Sequence, residues 1–184
     1  METMTITEDA MSAVANLCNK AILEEYDIIF GYPKLIDHIT NFENIKDAQL
    51  VRDVEIVGKD SLAHYRTMDL LITRLGYTPA WQAGVLPTIV GILDVMEAQL
   101  YKERRVQDIY KEAKKFTLEN QKKIRARKFF GKIITVRAGV GEDVLTTNEI
   151  VNTLDRLIMD EGKHARLIEN SMATLNMYLK RMPS

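Results

Sequence analysis

The sequence predicts an all-α protein, an antiparallel four-helix bundle. Three observations carry that prediction. Glycine (9) and proline (4) are scarce in 184 residues, which favours long helices over strands and turns. Four segments hold an apolar stripe whose steps alternate between three and four residues, the mark of one helical face. Turn and cap residues fall between these segments, and four long helices joined by loops pack as a bundle.

The first segment covers about residues 7–39. Its stripe reads Val14, Leu17, Ala21, position 25, Ile28, Tyr32, Leu35 and Ile39. Pro33 lies inside it and is expected to kink or split the helix, because proline lacks the amide and crowds the preceding turn. The second segment covers about residues 45–75, with Leu50, Val54, Val57, positions 61 and 64, Met68, Leu71 and Leu75 on one face. Gly76 follows as a C-cap and Pro79 bars continuation. A loop of about ten residues then holds Trp81 and Gly84, and Pro87 suits a first helical turn. The third stripe is Ile89, Leu93, Met96, Leu100, position 103, Val106, Tyr110 and Ala113. The fourth segment opens on Thr146-Thr-Asn-Glu149, a capping-box pattern. It continues through Ile150, Leu154, Leu157, positions 161 and 164, Ile168, Met172, Leu175 and Leu179. Segments one and three faintly resemble each other, as do two and four.

Between the third and fourth helices lies a basic insert, about residues 111–147. From Lys111 to Arg137 it holds ten Lys/Arg against Glu112 and Glu119. Helix three is expected to continue to about Phe130. Lys132 to Arg137 then reads as a short strand, Gly139 to Asp143 as a turn, and Val144 onward as the return, giving a small hairpin or irregular loop. With Phe116, Phe129 and Phe130 the stretch suits an anion, a nucleic acid or an acidic partner. Charge runs are more often solvated faces, and nucleic acid is not the expected partner.

The composition bounds the rest. A chain of 184 residues, 46% apolar and 28% charged, is expected to form one domain, residues 1–184, with a substantial core. A net charge of -1 selects no partner. The single cysteine, Cys18, excludes an internal disulfide framework and a four-cysteine metal knuckle, and fits a reducing compartment. It neighbours the first stripe and is expected to be buried and inert. The acidic first ten residues show no secretory signal, and no apolar run approaches the ~18–20 residues of a membrane span. The cytoplasm is the expected location.

The gaps in the stripes are polar: Glu25, Ser61, His64, Glu103, Glu161 and His164. A lone ionised carboxylate in a core costs several kcal/mol even after relaxation. Three of them would consume most of a stability of roughly 5–15 kcal/mol. They must be paired, protonated or bound to a cation. A divalent metal pair meets the charge of all three together, and imidazole with carboxylate suits iron, manganese or zinc. Glu161-Gly-Lys-His164 sets a carboxylate and an imidazole on one helical face. Glu103 is preferred over Glu97, one residue off the stripe. His38 lies off the stripe and is expected at the surface.

Glu25 and Tyr32, seven residues apart, are repeated by Glu103 and Tyr110. Asp160-Glu161-Gly-Lys-His164 closes the set, and Asp60-Ser-Leu-Ala-His64 leads to Leu75-Gly76. In these motifs the chain resembles the ferritin-like superfamily, which includes bacterioferritins and rubrerythrins. The likeness covers most of the chain outside the basic insert and the ends. It implies a di-iron carboxylate site in a bundle, with ferroxidase or peroxidase chemistry on ferrous iron and dioxygen or hydrogen peroxide. The implied ligands are Glu25, His64, Glu103, Glu161 and His164, bridged by Glu103 and by Glu161 or a ligand on the Asp60 side. Tyr32 and Tyr110 would hydrogen-bond ligand carboxylates. Three departures stand out. The family's second-helix Glu is Ser61 here, a small filler. Asp60, four residues before His64, either reaches a metal or is a surface carboxylate; without it one metal takes water or lacks a ligand. The insert lengthens the Glu103–Glu161 spacing, and no rubredoxin-like Cys-x-x-Cys is present. A homodimer is expected rather than a cage. The alternative is a bundle with a degenerate metal site that binds a partner through its basic insert.

Overall fold

A computed structural model of the chain describes residues 10–42, 45–80, 91–121, 124 and 145–180. It holds four long helices: α1 (Ala10–Asp37), α2 (Ala48–Arg74), α3 (Ile92–Glu119) and α4 (Thr147–Leu179). No strand occurs among the described residues. The helices form a ring in which α1 packs on α2 and α3, and α4 packs on the same two.

Side-chain pairs fix the directions. Tyr32 meets Glu103 while Tyr110 meets Glu25, so α1 and α3 run antiparallel. Arg104 with Glu169 and Lys114 with Asp155 set α3 against α4 in the same sense. Arg74 with Glu149 and Asp60 with His164 do so for α2 and α4. Every neighbouring pair is therefore antiparallel. The diagonal helices α2 and α3 run the same way and are joined by the segment 75–91. Its start is clipped to α1, where Asn19 Oδ1 accepts the Ala80 amide at 2.6 Å. The expected loop residues Trp81, Gly84 and Pro87 lie outside the described residues.

The local signals act as the sequence dictates. Thr146 accepts the Glu149 amide while Glu149 accepts the Thr146 amide, a complete capping box. Asp47 caps α2 by accepting the Gln49 and Leu50 amides. The Leu50 amide, with the Tyr178 hydroxyl, lowers its pKa. At the other end of α2, Gly76 adopts φ 88°. Its amide bonds Thr73 O and that of Tyr77 bonds Ile72 O, a Schellman ending that needs a left-handed residue.

Two helix boundaries differ from expectation. α1 runs unbroken through Pro33, which is exposed. The amide that proline lacks is thus missing from the exposed side of the helix and not from the packed core. One π-helical turn, His38–Phe42, then ends the segment. His38 is half-buried there rather than exposed. α3 stops at Glu119, well short of Phe130, because Asn120 leaves helical geometry and turns its side-chain amide onto Phe116 O. The expected hairpin over residues 132–147 lies largely outside the described residues. Ile124 and Leu145, near its two ends, are buried.

The stripes of α1 and α2 are buried throughout. In α3 the buried positions begin Ile92, Val95, Met96 and Gln99, so Leu93 and Leu100 are only partly buried beside the core. In α4 Ser171 is buried and Met172 partly so. Among the described residues no helix is long and apolar enough to cross a membrane.

Candidate metal centre

Halfway along the bundle the apolar core gives way to a polar layer. Glu25, Glu103 and Ser61 are 0% exposed, Glu161 and His164 1%, and His64 5%. Each has a buried apolar residue one turn away on at least one side, such as Val57 for Ser61, Val106 for Glu103 and Ile168 for His164, and packing of that face drives it inward. Glu97, the rival of Glu103, is exposed.

The layer is organised around the two imidazoles, which stack with ring centres 5.2 Å apart. His64 Nδ1 is 2.6 Å from Glu161 Oε1 and 3.3 Å from Glu25 Oε1. His164 Nδ1 is 3.1 Å from Glu103 Oε2 and 3.6 Å from Glu161 Oε2. Glu161 alone reaches both imidazoles. Glu103, expected as a bridge, stands on the His164 side only, because α3 brings it to α4 and to Tyr32. Both expected tyrosine bonds are present and they cross the bundle. Tyr32 on α1 donates to Glu103 Oε1 at 3.0 Å, and Tyr110 on α3 donates to Glu25 Oε1 at 2.9 Å. Burial, then the adjacent carboxylates, raise both phenols well above their ordinary pKa. They stay protonated as donors.

Asp60 does not enter this inner layer. Its side chain is 53% exposed and its Oδ2 lies 3.3 Å from His164 Nε2, the outward nitrogen. Asp160 holds the corresponding place at 3.8 Å from His64 Nε2. Each imidazole thus has an aspartate behind it and turns Nδ1 inward; for His164 the aspartate is within hydrogen-bond reach, the way an outer carboxylate orients a histidine. Sequence reasoning assigned Asp60 to the metal or the surface and gave Asp160 no role. The shared spacing, aspartate four residues before histidine in both even helices, was the signal.

The donor set fits a cation. Glu25 Oε2, both oxygens of Glu161, His64 Nδ1 and Ser61 Oγ are buried with no hydrogen-bond partner. The 2.6 Å approach of His64 to Glu161 is therefore a close contact without hydrogen-bond alignment. Ligand atoms of His64, Glu161 and His164 lie within 4.8 Å of one another, close enough to share one ion. A buried unpaired polar group costs about 1–3 kcal/mol, and a metal would satisfy several at once. Electrostatics agree. Burial, followed by the Glu161 charge, pushes the Glu25 carboxyl up to about 7. Glu161 is raised, by burial first. Burial alone would lower the imidazoles, yet Glu161 and Glu25 hold His64 up at about 10, and Glu103 and Glu161 hold His164 at about 11. Without a metal, protons take the place of cations. Cys18 is buried and its thiol pushed up to about 12 by that burial, which makes it inert.

Close helix approach positions Tyr32. A Cβ on Gly58 would lie 2.9 Å from Tyr32 Cβ and 3.2 Å from its Cγ. Those atoms are tied to the α1 backbone and cannot swing aside. Gly58→Ala is expected to destabilise the protein by about 1–2 kcal/mol despite alanine's better helix propensity. Urea denaturation of the metal-free protein checks this, and a variant as stable as the parent would refute the contact.

A cleft of about 360 Å³ opens on the α2–α4 seam over the outward side of the two histidines. Asp60, Asp160, Arg156 and Lys163 line it, and Lys163 is tied to Asp160 at 2.6 Å. No family model matches the chain, and no curated protein matches it in sequence.

Proposed function

We propose that the chain is a di-metal carboxylate protein of ferritin-like type, with iron as its metal, acting as an oxidoreductase of ferroxidase or peroxidase kind on dioxygen or hydrogen peroxide. The observation that carries this reading is the set of unpartnered donor atoms between the two imidazoles, on Glu25, His64 and Glu161. Glu25 and His64 would hold one ion, Glu103 and His164 the other, and Glu161 would span both. Manganese and zinc suit the same donors. Two bound iron ions would supply the electrons that reduce dioxygen or peroxide. The chain's own residues orient and enclose. Tyr110 and Tyr32 fix the carboxylate planes of Glu25 and Glu103. Asp60 holds His164 with Nδ1 inward through a 3.3 Å contact to Nε2, and Asp160 stands 3.8 Å behind His64 as a charge partner. The apolar turns above and below exclude water, and the α2–α4 cleft gives a small oxidant its path. The parallel run of the consecutive helices α2 and α3 supports the ferritin-like resemblance, since such bundles carry one long crossover.

Anaerobic titration with ferrous iron, followed by oxygen, tests the reading. Uptake of about two ions per chain is expected, with new near-ultraviolet absorbance on oxidation. No uptake and no absorbance would end it. Size-exclusion chromatography separates the expected homodimer from a cage.

Ser61 favours a second reading, a degenerate site whose basic insert recruits an acidic partner or nucleic acid. The described part of the insert speaks against it. Lys111, Lys114 and Lys115 already pair with Asp108, Asp155 and Glu119. Salt-sensitive binding of nucleic acid by a protein that takes up no metal would establish this second reading.

A further inference from the structure

The inference concerns Ser61 and rests on the di-metal reading above. The α1–α2 and α3–α4 pairs are related by approximate two-fold symmetry. Glu25 answers Glu103, Tyr32 answers Tyr110, Asp60 answers Asp160 and His64 answers His164. The inner layer breaks this symmetry at one position: Ser61 stands where Glu161 stands in the other half. Ser61 is 0% exposed and its Oγ has no partner. A serine hydroxyl sits on the β-carbon, two carbons short of where a glutamate carboxyl ends, so this half lacks a charge and also reach.

The charge balance shows what is missing. Ligating imidazoles are neutral, so Glu25, Glu103 and Glu161 bring three negative charges against four positive on two divalent ions. One positive charge is left in a fully buried layer, where an uncompensated ion costs several kcal/mol. Neither outer aspartate supplies the counter-charge: Asp60 is more than half exposed and held on His164 Nε2, and the charge of Asp160 is met by Lys163 at 2.6 Å. A small monoanion would meet that charge, and one shaped like the absent carboxylate would also fill its reach and could accept a hydrogen bond from Ser61 Oγ.

We propose that the place of the absent carboxylate is a binding site for one small planar oxyanion from solution, of formate, acetate or bicarbonate size, held by the two metals and by Ser61. The anion completes the charge of the layer, and Ser61 selects for an acceptor at that point. Fluoride or chloride, with no second oxygen, does not replace it.

Equilibrium dialysis of the full chain with cobaltous or manganous perchlorate tests this. It is done in a non-coordinating buffer free of bicarbonate, with or without millimolar formate, acetate or bicarbonate. The three anions in separate arms identify the source. Affinity for the second ion is expected to rise about tenfold or more with the preferred anion. Cobalt visible bands should shift at the same concentration, and one ¹³C-labelled anion should bind per chain only when metal is present. Ser61→Glu is expected to bind two ions with no anion dependence. Ser61→Ala should keep the dependence and need several-fold more anion. Two ions bound equally well with and without anion would overturn the inference and leave the di-metal reading intact. One ion per chain under all conditions, with two in Ser61→Glu, would do the same for the anion and reduce the native site to a single metal. No uptake by any variant would remove the di-metal reading itself.

Discussion

Glu161→Gln is expected to raise the melting temperature of the metal-free protein and to erase the rise that metal brings. Without metal, three buried carboxylates share the layer with two imidazoles, and one carboxylate is in excess. Its cost is visible at Glu25, held at about 7 by burial and the Glu161 charge. Removing the Glu161 charge leaves two matched pairs, Glu25 with His64 and Glu103 with His164. The gain above neutral pH is about 1–3 kcal/mol, or several degrees for a chain of this size. With metal the sign reverses. The parent gains about 4 kcal/mol when free metal exceeds the dissociation constant about 1,000-fold. Glutamine, a poor ligand with no charge, cannot span the two positions. Thermal melting of both proteins, with chelator and with manganous ion, gives four curves. Equal metal-induced shifts in the two proteins would rule out Glu161 as the shared ligand.

Metal uptake is expected to release about two protons per chain at neutral pH, and apparent affinity for the pair of ions to climb about a hundredfold per pH unit. The imidazoles, held at about 10 and about 11 in the metal-free layer, must lose their protons to ligate. Calorimetry in buffers of different ionisation enthalpy counts them. Metal-free stability moves the other way. The native state binds more protons than the unfolded chain wherever a folded pKa is raised. The histidine contribution is complete below 6.5 and is lost as pH rises through about 10 and 11. The Glu25 contribution has the same sign and fades between 4.5 and about 7. The metal-free protein should therefore melt lower at about pH 9 than at about pH 6, and the loaded protein should show the smaller or opposite trend. A metal-free melting temperature that climbs with pH would contradict the paired layer. The lowered carboxyls of Asp47 and Glu149 act below this window.

The sequence made the four helices legible because their faces repeat for seven or eight turns without interruption, and each polar gap falls on that repeat. The layer of Glu25, Ser61, His64, Glu103, Glu161 and His164 could be read from spacing alone. What spacing could not give was partnership across helices. Gln99 is buried four residues before Glu103 because Gly31 on α1 has no side chain there; a Cβ would collide with Gln99 Nε2. With Gln99 in the buried position, Leu93 and Leu100 lie at the margin of the core. Asp60 shares a helical face with His64, yet its carboxylate serves the histidine of another helix. An i,i+4 rule reports neighbours on one helix and says nothing of the facing one.

The crossed phenols lock the register of the bundle. α1 carries one carboxylate of the buried layer and the hydroxyl that steadies the carboxylate of α3, and α3 returns the same pair of services. Sliding either helix by a single turn, about 5.4 Å, would break both bonds and draw Glu25 and Glu103 away from their imidazoles in one movement. The two halves of the buried layer are therefore held in a single frame.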